Sequence, residues 1–203
     1  MLFAAILIDQ FIKIYIKTNF IYGESYPIFG NWFKLYFIEN DGMAYGMKLF
    51  GGGKVGKLIL TFFRLIVSAF GFWYLIKCIR NDANWGLLIC IALVLSGAMG
   101  NIIDSVFYGV LYADTNHYIG GWFEGQVVDM FYAPMWEGVF PHWMPIWGGE
   151  LFTFFAPIWN FADACITIGV SIMIVGQKKF SLPSPSIVFN KPESQSEINT
   201  QEN

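Results

Sequence analysis

Asp129 and Asp163 are the residues of this chain whose type and setting point most directly to chemistry. Asp129 lies in Val127-Val128-Asp129-Met130-Phe131 and Asp163 in Trp159-Asn160-Phe161-Ala162-Asp163-Ala164, each read as standing at the outer rim of an apolar stretch. An ionisable side chain at membrane depth is costly unless paired or solvated, so it marks function by default. Two carboxyl groups a few Å apart do not both ionise readily; one keeps a proton near neutral pH while the other serves as base. Such a dyad takes a proton from an attacking water, polarises a carbonyl and returns a proton to a leaving amine. The two aspartates are 34 positions apart (163 − 129), so folding alone can join them.

Further polar residues sit in apolar surroundings. Asp9 and Lys13, at i and i+4, share a helix face and neutralise each other as a structural ion pair. Gly97-Ala98-Met99-Gly100 lets helix backbones approach closely. Asn101 and Asp104 follow, three apart on one face at the outer end of the same stretch. Arg64 lies roughly 12 Å into its own stretch at 1.5 Å per residue; it needs an acidic or carbonyl partner, and Asp104 is the expected one.

The elements that must position these residues are membrane helices. The 203 residues are 56% hydrophobic, 19% aromatic and only 13% charged, too apolar for an ordinary soluble domain. Candidate spans of roughly 20 residues cover about 1–19, 56–77, 85–105 and 158–176. Asp9, Lys13 and Lys17 interrupt the first and no small-residue cleavage site follows, so it reads as a retained helix and not a signal peptide. Its short lead to Asp9 raises the expectation that native residues precede Met1. Lys77 and Arg80 mark the link between the second and third spans as cytoplasmic, as Lys178 and Lys179 do for the end of the fourth. No Lys or Arg occurs between Asn81 and Gln177, which puts segment 106–157 outside. Both termini are then cytoplasmic, even though outer segment 20–55 carries Lys34, Lys48 and Lys54. The expected organisation is a membrane domain over 1–177 and a flexible cytoplasmic tail over 178–203, whose Ser, Pro, Asn, Gln and Glu cannot bury a core.

A net charge of −3 offers no basic surface, so nucleic acid is not an expected partner. Cys78, Cys90 and Cys165 all fall in or beside spans, which predicts no disulfide and no metal site. His117 and His142, with Asp114 near, lack metal-ligand spacing. Phe33, Leu35 and Phe37 alternate with Lys34, Tyr36 and Ile38, as in a strand with one buried face. Asp41-Gly42 then suits a tight hairpin turn, with a second strand from Met43. Residues 132–158 combine Trp136, Trp143, Trp147 and several Phe with four prolines, an aromatic loop for the outer membrane surface.

Taken together, Asp9-Gln10 with Lys13, Asn40-Asp41-Gly42-Met43-Ala44-Tyr45-Gly46, Gly97 to Asp104, Val128-Asp129-Met130-Phe131 and Asn160-Phe161-Ala162-Asp163 resemble the lipoprotein signal peptidases, or signal peptidases II. Each motif is short; the set of five in the family's order is specific. The resemblance implies an all-α membrane protein of four transmembrane helices with a small extracytoplasmic β-cradle or hairpin and an outer loop at the membrane surface. It implies a bacterial inner-membrane aspartic endopeptidase, with its site near the outer leaflet, that cuts prolipoproteins before a diacylglyceryl-modified cysteine. Asp129 and Asp163 would be catalytic. Asn40, Gly42, Asn101, Asp104 and Asn160 would line the site, and Asp9, Lys13 and Arg64 would support it. No metal or other cofactor is implied; membrane lipid and a globomycin-type inhibitor are the further partners.

Two departures stand out. The family usually has Arg after the motif's Asp104; here it is Ser105, which makes Arg64 the candidate for that charge. Segment 106–158 is also longer than in the shorter members. Two other classes stay open on the residues alone: a proton or ion path along the buried charges, and a membrane scaffold packed through its glycines.

Overall fold

The structure is a computed structural model that describes residues 1–30, 32–41, 54–154 and 157–180. Gly42, the expected hairpin turn with its strand from Met43, and the tail from residue 181 lie outside the described residues. In chain order the elements are α1 (Leu2–Asn19), β1 (Ser25–Phe29), β2 (Phe33–Asn40), α2 (Lys54–Arg80) and α3 (Trp85–Ile103). A π-helical turn (Asp104–Tyr108) and the single turn α4 (Gly109–Leu111) prolong α3. Then come β3 (Val127–Tyr132), β4 (Trp136–Val139), β5 (Leu151–Phe154), β6 (Ile158–Trp159) and α5 (Phe161–Gly176).

The helices are inside-out relative to those of a soluble protein. On α1 the buried stripe is Ala5, Asp9, Lys13, Ile16 and Lys17, while Phe3, Leu7 and Phe11 face outward. On α2 Thr61 and Ser68 are buried and Phe63, Ile66 and Phe70 are exposed. Charged groups turn inward only where the outer medium is a worse solvent for them than a partnered interior, as hydrocarbon is. Among the described residues two helices, Lys54–Arg80 and Trp85–Leu111, are long and apolar enough to cross a membrane, each with 27 residues. α5 is apolar but has 16 residues.

α3 packs centrally, against α1, α2 and α5. The glycine run explains the closest approach: a Cβ on Gly97 would collide with the Ala162 carbonyl oxygen of α5 and stand 2.7 Å from Ile166. A Cβ on Gly100 would collide with the Asp9 carboxylate of α1. At its C-terminal end α3 loosens into the π-helical turn, a feature frequently found at functional sites, and Ser105 closes it by donating from Oγ to the Asn101 carbonyl at 2.9 Å.

The outer layer is an antiparallel sheet in the order β1-β2-β3-β6. β2 is the strand read from Phe33, Leu35 and Phe37, but its described partners are β1 and β3, elements that alternation in β2 alone does not reveal. Phe37, Val128 and Met130 bury one face of the sheet against Ile16 and Tyr108. Because side chains alternate along a strand, Asp129 then points to the other face. Asp129 stands on a strand opposite Ile38, bonded to Asn160 at the start of α5. The fourth helix begins at Phe161, since Ile158 and Trp159 pair with β3. The aromatic stretch is also no simple loop, for β4 and β5 form a separate two-stranded hairpin, Trp136 opposite Phe154 and Val139 opposite Leu151.

Candidate active site

Asp163 is placed by the start of α5. Asn160 is the N-cap: its Oδ1 accepts from the Asp163 backbone N–H at 2.9 Å, and the Asp163 Oδ2 accepts in return from the Asn160 backbone N–H at 3.4 Å. This reciprocal capping box satisfies two donors that a helix start leaves without intrahelical partners. It also fixes the Asn160 amide. With Oδ1 committed to the backbone N–H, Nδ2 turns away and donates to Asp129 Oδ1 at 2.6 Å and to Asn101 Oδ1 at 3.2 Å.

Asn101 completes the link. Its Oδ1 accepts from Lys13 Nζ at 2.8 Å, and its Nδ2 donates to Asp163 Oδ1 at 2.8 Å. Lysine has only protons to give, so the oxygen of Asn101 must face Lys13 and its N–H₂ must face Asp163. Each aspartate thus receives an amide N–H from a different asparagine, and the asparagines bond to each other. Asn40, at the end of β2, donates its Nδ2 to the second oxygen of Asp129.

Beneath this pair lies a fully buried ionic cluster. Lys13 Nζ is 3.0 Å from Asp9 and 2.8 Å from Asp104, with all three side chains at most 1% exposed. Removing one partner of such a cluster leaves a buried charge uncompensated, which is strongly destabilising. The carboxylates also reach across the fold. Asp9 Oδ1 accepts from the Ala162 backbone N–H at 2.8 Å, in the first turn of α5, where negative charge is favoured by the helix dipole. Asp104 Oδ2 accepts from the Val128 backbone N–H at 3.3 Å, next to Asp129. Gln10 bridges Asp104, Asp9 and the Gly100 carbonyl, and accepts from the Tyr108 hydroxyl at 3.1 Å. One cluster therefore holds the helix bearing Asp163 and the strand bearing Asp129.

Asp129 is 1% exposed. Burial pushes its carboxyl well above the usual carboxylate range, and the charge of Asp163 acts in the same direction, against the Asn160 hydrogen bond. The arrangement can hold one shared proton beside a carboxylate, the condition for general acid–base work on water and a carbonyl.

The structure brings together Asp129, Asp163, Asn40, Asn101 and Asn160, with Asp9, Lys13 and Asp104 directly beneath. Asp104 takes Lys13 as an ion partner, and half-buried Arg64 lies within the influence of the Asp163, Asp104 and Asp129 charges. Several supports escape a reading by sequence. Lys17 pairs with Glu39, both buried, tying α1 to β2. Lys57 and Gln126 meet at Asp41 Oδ1, at 3.2 and 3.0 Å. Lys17 had a signal, since it continues the four-residue spacing of Asp9 and Lys13; Lys57 and Gln126 had none. Among the described residues no His, Cys, Asp or Glu group has the grouping of a metal site, and the three cysteines are free and buried.

A mostly helical body under a small antiparallel sheet, with ionised groups turned inward around two linked carboxyls, defines a membrane-embedded enzyme. Two solved structures of bacterial membrane enzymes share the fold: one at TM-score 0.59 and 25% identity covers 88% of this chain and 85% of that one. The other, at 0.58 and 24%, covers 89% and 91%. The sequence profile of the signal peptidase (SPase) II family matches residues 1–178. The chain is 44% identical over 181 residues to a lipoprotein signal peptidase of Porphyromonas gingivalis, covering 84% of this chain and 77% of that protein. A lipoprotein signal peptidase of Amoebophilus asiaticus is 36% identical over 186 residues, covering 89% and 77%. The chain belongs to the signal peptidase II family, and so to the membrane aspartic peptidases. That membership displaces the ion-path and scaffold readings.

Proposed function

We propose that this chain removes the signal peptide of bacterial prolipoproteins by hydrolysing the bond before a diacylglyceryl-modified cysteine, with Asp129 and Asp163 as the catalytic pair. The observation that carries the reading is the double amide bridge: Asn160 donates to Asp129, Asn101 donates to Asp163, and the two asparagines are bonded to each other. The amides hold the two carboxyls near one another, and because the charge of Asp163 acts on Asp129 the pair gains and loses protons as a unit. The ionised member draws a proton from water as the oxygen attacks the scissile carbonyl. The protonated member hydrogen-bonds the carbonyl oxygen and then delivers its proton to the leaving amine. Asn40, Asn101 and Asn160 orient the pair, and Gly42 belongs to the same lining by its motif. Asp104, Asp9 and Lys13 hold β3 and α5 in place, and Arg64 adds positive potential beside Asp163.

In this reading α1, α2, α3 with its extension and α5 are four spans of the inner membrane, with both termini cytoplasmic and the site near the outer leaflet. Such a site meets a substrate whose lipid stays in the bilayer while its peptide bond approaches water. Residues 1–177 form the peptidase domain and the remainder a cytoplasmic tail. A globomycin-type peptide inhibitor would compete for the same cleft. The test is cleavage of a lipid-modified prolipoprotein by purified enzyme, with and without globomycin. Asp129→Asn and Asp163→Asn are each expected to lower turnover by at least about 10³-fold, since an isosteric amide removes the acid–base function, while substrate still binds. Turnover near the parent rate in either variant would falsify the assignment.

A further inference from the structure

We propose that the β4–β5 hairpin is an interfacial anchor whose tip inserts into the outer-leaflet lipid surface and sets the depth of the site. Among the described elements, β4 packs chiefly on β5. An isolated two-stranded hairpin is marginal in water unless an apolar face is covered. Here Phe140 stacks on Phe152 with ring centroids 4.5 Å apart and lies 6.3 Å from Trp147, which stiffens the tip. Three large apolar side chains near the tip point outward: Leu151 is 85% exposed, Ile146 83% and Trp143 80%. Val139 and Leu151 are register partners, so both lie on one face of the hairpin.

Lipid is the occupant that the surroundings select. The hairpin leaves the sheet at Tyr132 and returns at Ile158, within a few residues of Asp129 on one side and Asp163 on the other. It is therefore continuous with the outer end of α5, where a bilayer surface must lie if α5 spans. Trp side chains favour that boundary, where the ring meets hydrocarbon and the indole N–H meets water. The hairpin carries Glu137, Glu150 and His142 but no Lys or Arg, so anionic headgroups do not attract it and insertion rests on apolar area. A zwitterionic lipid surface fits this chemistry. Because the hairpin joins the two strands beside the aspartates, its depth is transmitted to the height at which they meet a substrate bond.

This inference rests on the proposed orientation, and the test separates the two. Ile146→Cys and, at a second position, Leu151→Cys are labelled with an environment-sensitive nitrobenzoxadiazole fluorophore; Cys78, Cys90 and Cys165 are buried and resist the reagent. The full chain is reconstituted in phosphatidylethanolamine vesicles containing lipids spin-labelled at shallow or deep positions. Asp114→Cys, on an exposed loop of the same segment, is the control. Both hairpin labels are expected to shift to the blue and to be quenched several-fold more than the control by the shallow spin label, with little change on adding salt. Water-like emission from them overturns the proposal, as does shielding without lipid quenching, which would point to a second copy or a protein partner. Reaction of Asp114→Cys with a membrane-impermeant thiol reagent on intact cells reads the orientation independently.

Discussion

Asp129 carries the clearest energetic signature at the scale of single residues. Its folded carboxyl titrates well above the unfolded value of about 3.9, with burial as the main cause and Asp163 second. The native state therefore keeps a proton that the unfolded chain has already released. Stability from this group is fully present below the unfolded value and is lost as pH rises through the folded one. Asp129→Asn should remove that loss. Thermal unfolding in detergent is expected to give a variant-minus-parent difference in Tm that grows from pH 5 to pH 8, by a few degrees in favour of the variant. A difference independent of pH would mean that Asp129 does not hold its proton. The same raised value predicts that the alkaline limb of cleavage lies above the ordinary carboxylate range, because activity ends when the dyad loses its last proton.

At the scale of elements, the packing of α3 on α5 sets where Asp163 stands relative to Asn101. Gly97 touches the backbone of α5 within one turn of Asp163, and the Ala162 carbonyl there cannot rotate away as a flexible side chain would. Gly97→Val is expected to push α5 outward, destabilising the fold by about 1–3 kcal/mol as overpacking does and lowering turnover more than substrate affinity. Gly121→Ala is the control, because its nearest atom is Glu124 Oε2 at 3.9 Å. Equal effects of the two substitutions on Tm and kcat would remove the claim that this contact positions the site. The capping box at Asn160 and the Asp9 contact to Ala162 act on the same helix start, so α5 is held from its own sequence and from α1 together.

For the whole molecule, the distribution of charge predicts an orientation. Lys77 and Arg80 end α2, Lys178 and Lys179 follow α5, and 81–177 is free of both residue types. Reporter fusions check this directly. A fluorescent protein fused after Lys179 should be fluorescent, and alkaline phosphatase inserted at Asp114 should be active, since each reporter works on one side only. The opposite pattern would place the site on the cytoplasmic face. Within that frame the polar interior is asymmetric: among the described residues the Asp9–Lys13–Asp104 cluster and the two asparagine-bridged aspartates gather where α1, α3 and α5 meet the sheet.

The sequence by itself determined the membrane character, the four apolar stretches, the β2 strand and the identity of the polar residues, because hydropathy and side-chain alternation are local properties. Asp9 with Lys13 was legible from helical spacing, as was the closeness required at Gly97. Only the tertiary structure decided that Asp129 rides on a strand, that Lys13 pairs with Asp104 as well as with Asp9, and that Lys17 meets Glu39. These depend on which strand pairs with which, and on the orientation of amide groups whose donors and acceptors come from far along the chain. Asn101 and Asn160 show the division plainly: their presence beside the acids is written in the motifs, whereas the direction of each amide is fixed by Lys13 and by a backbone N–H that folding brings within reach.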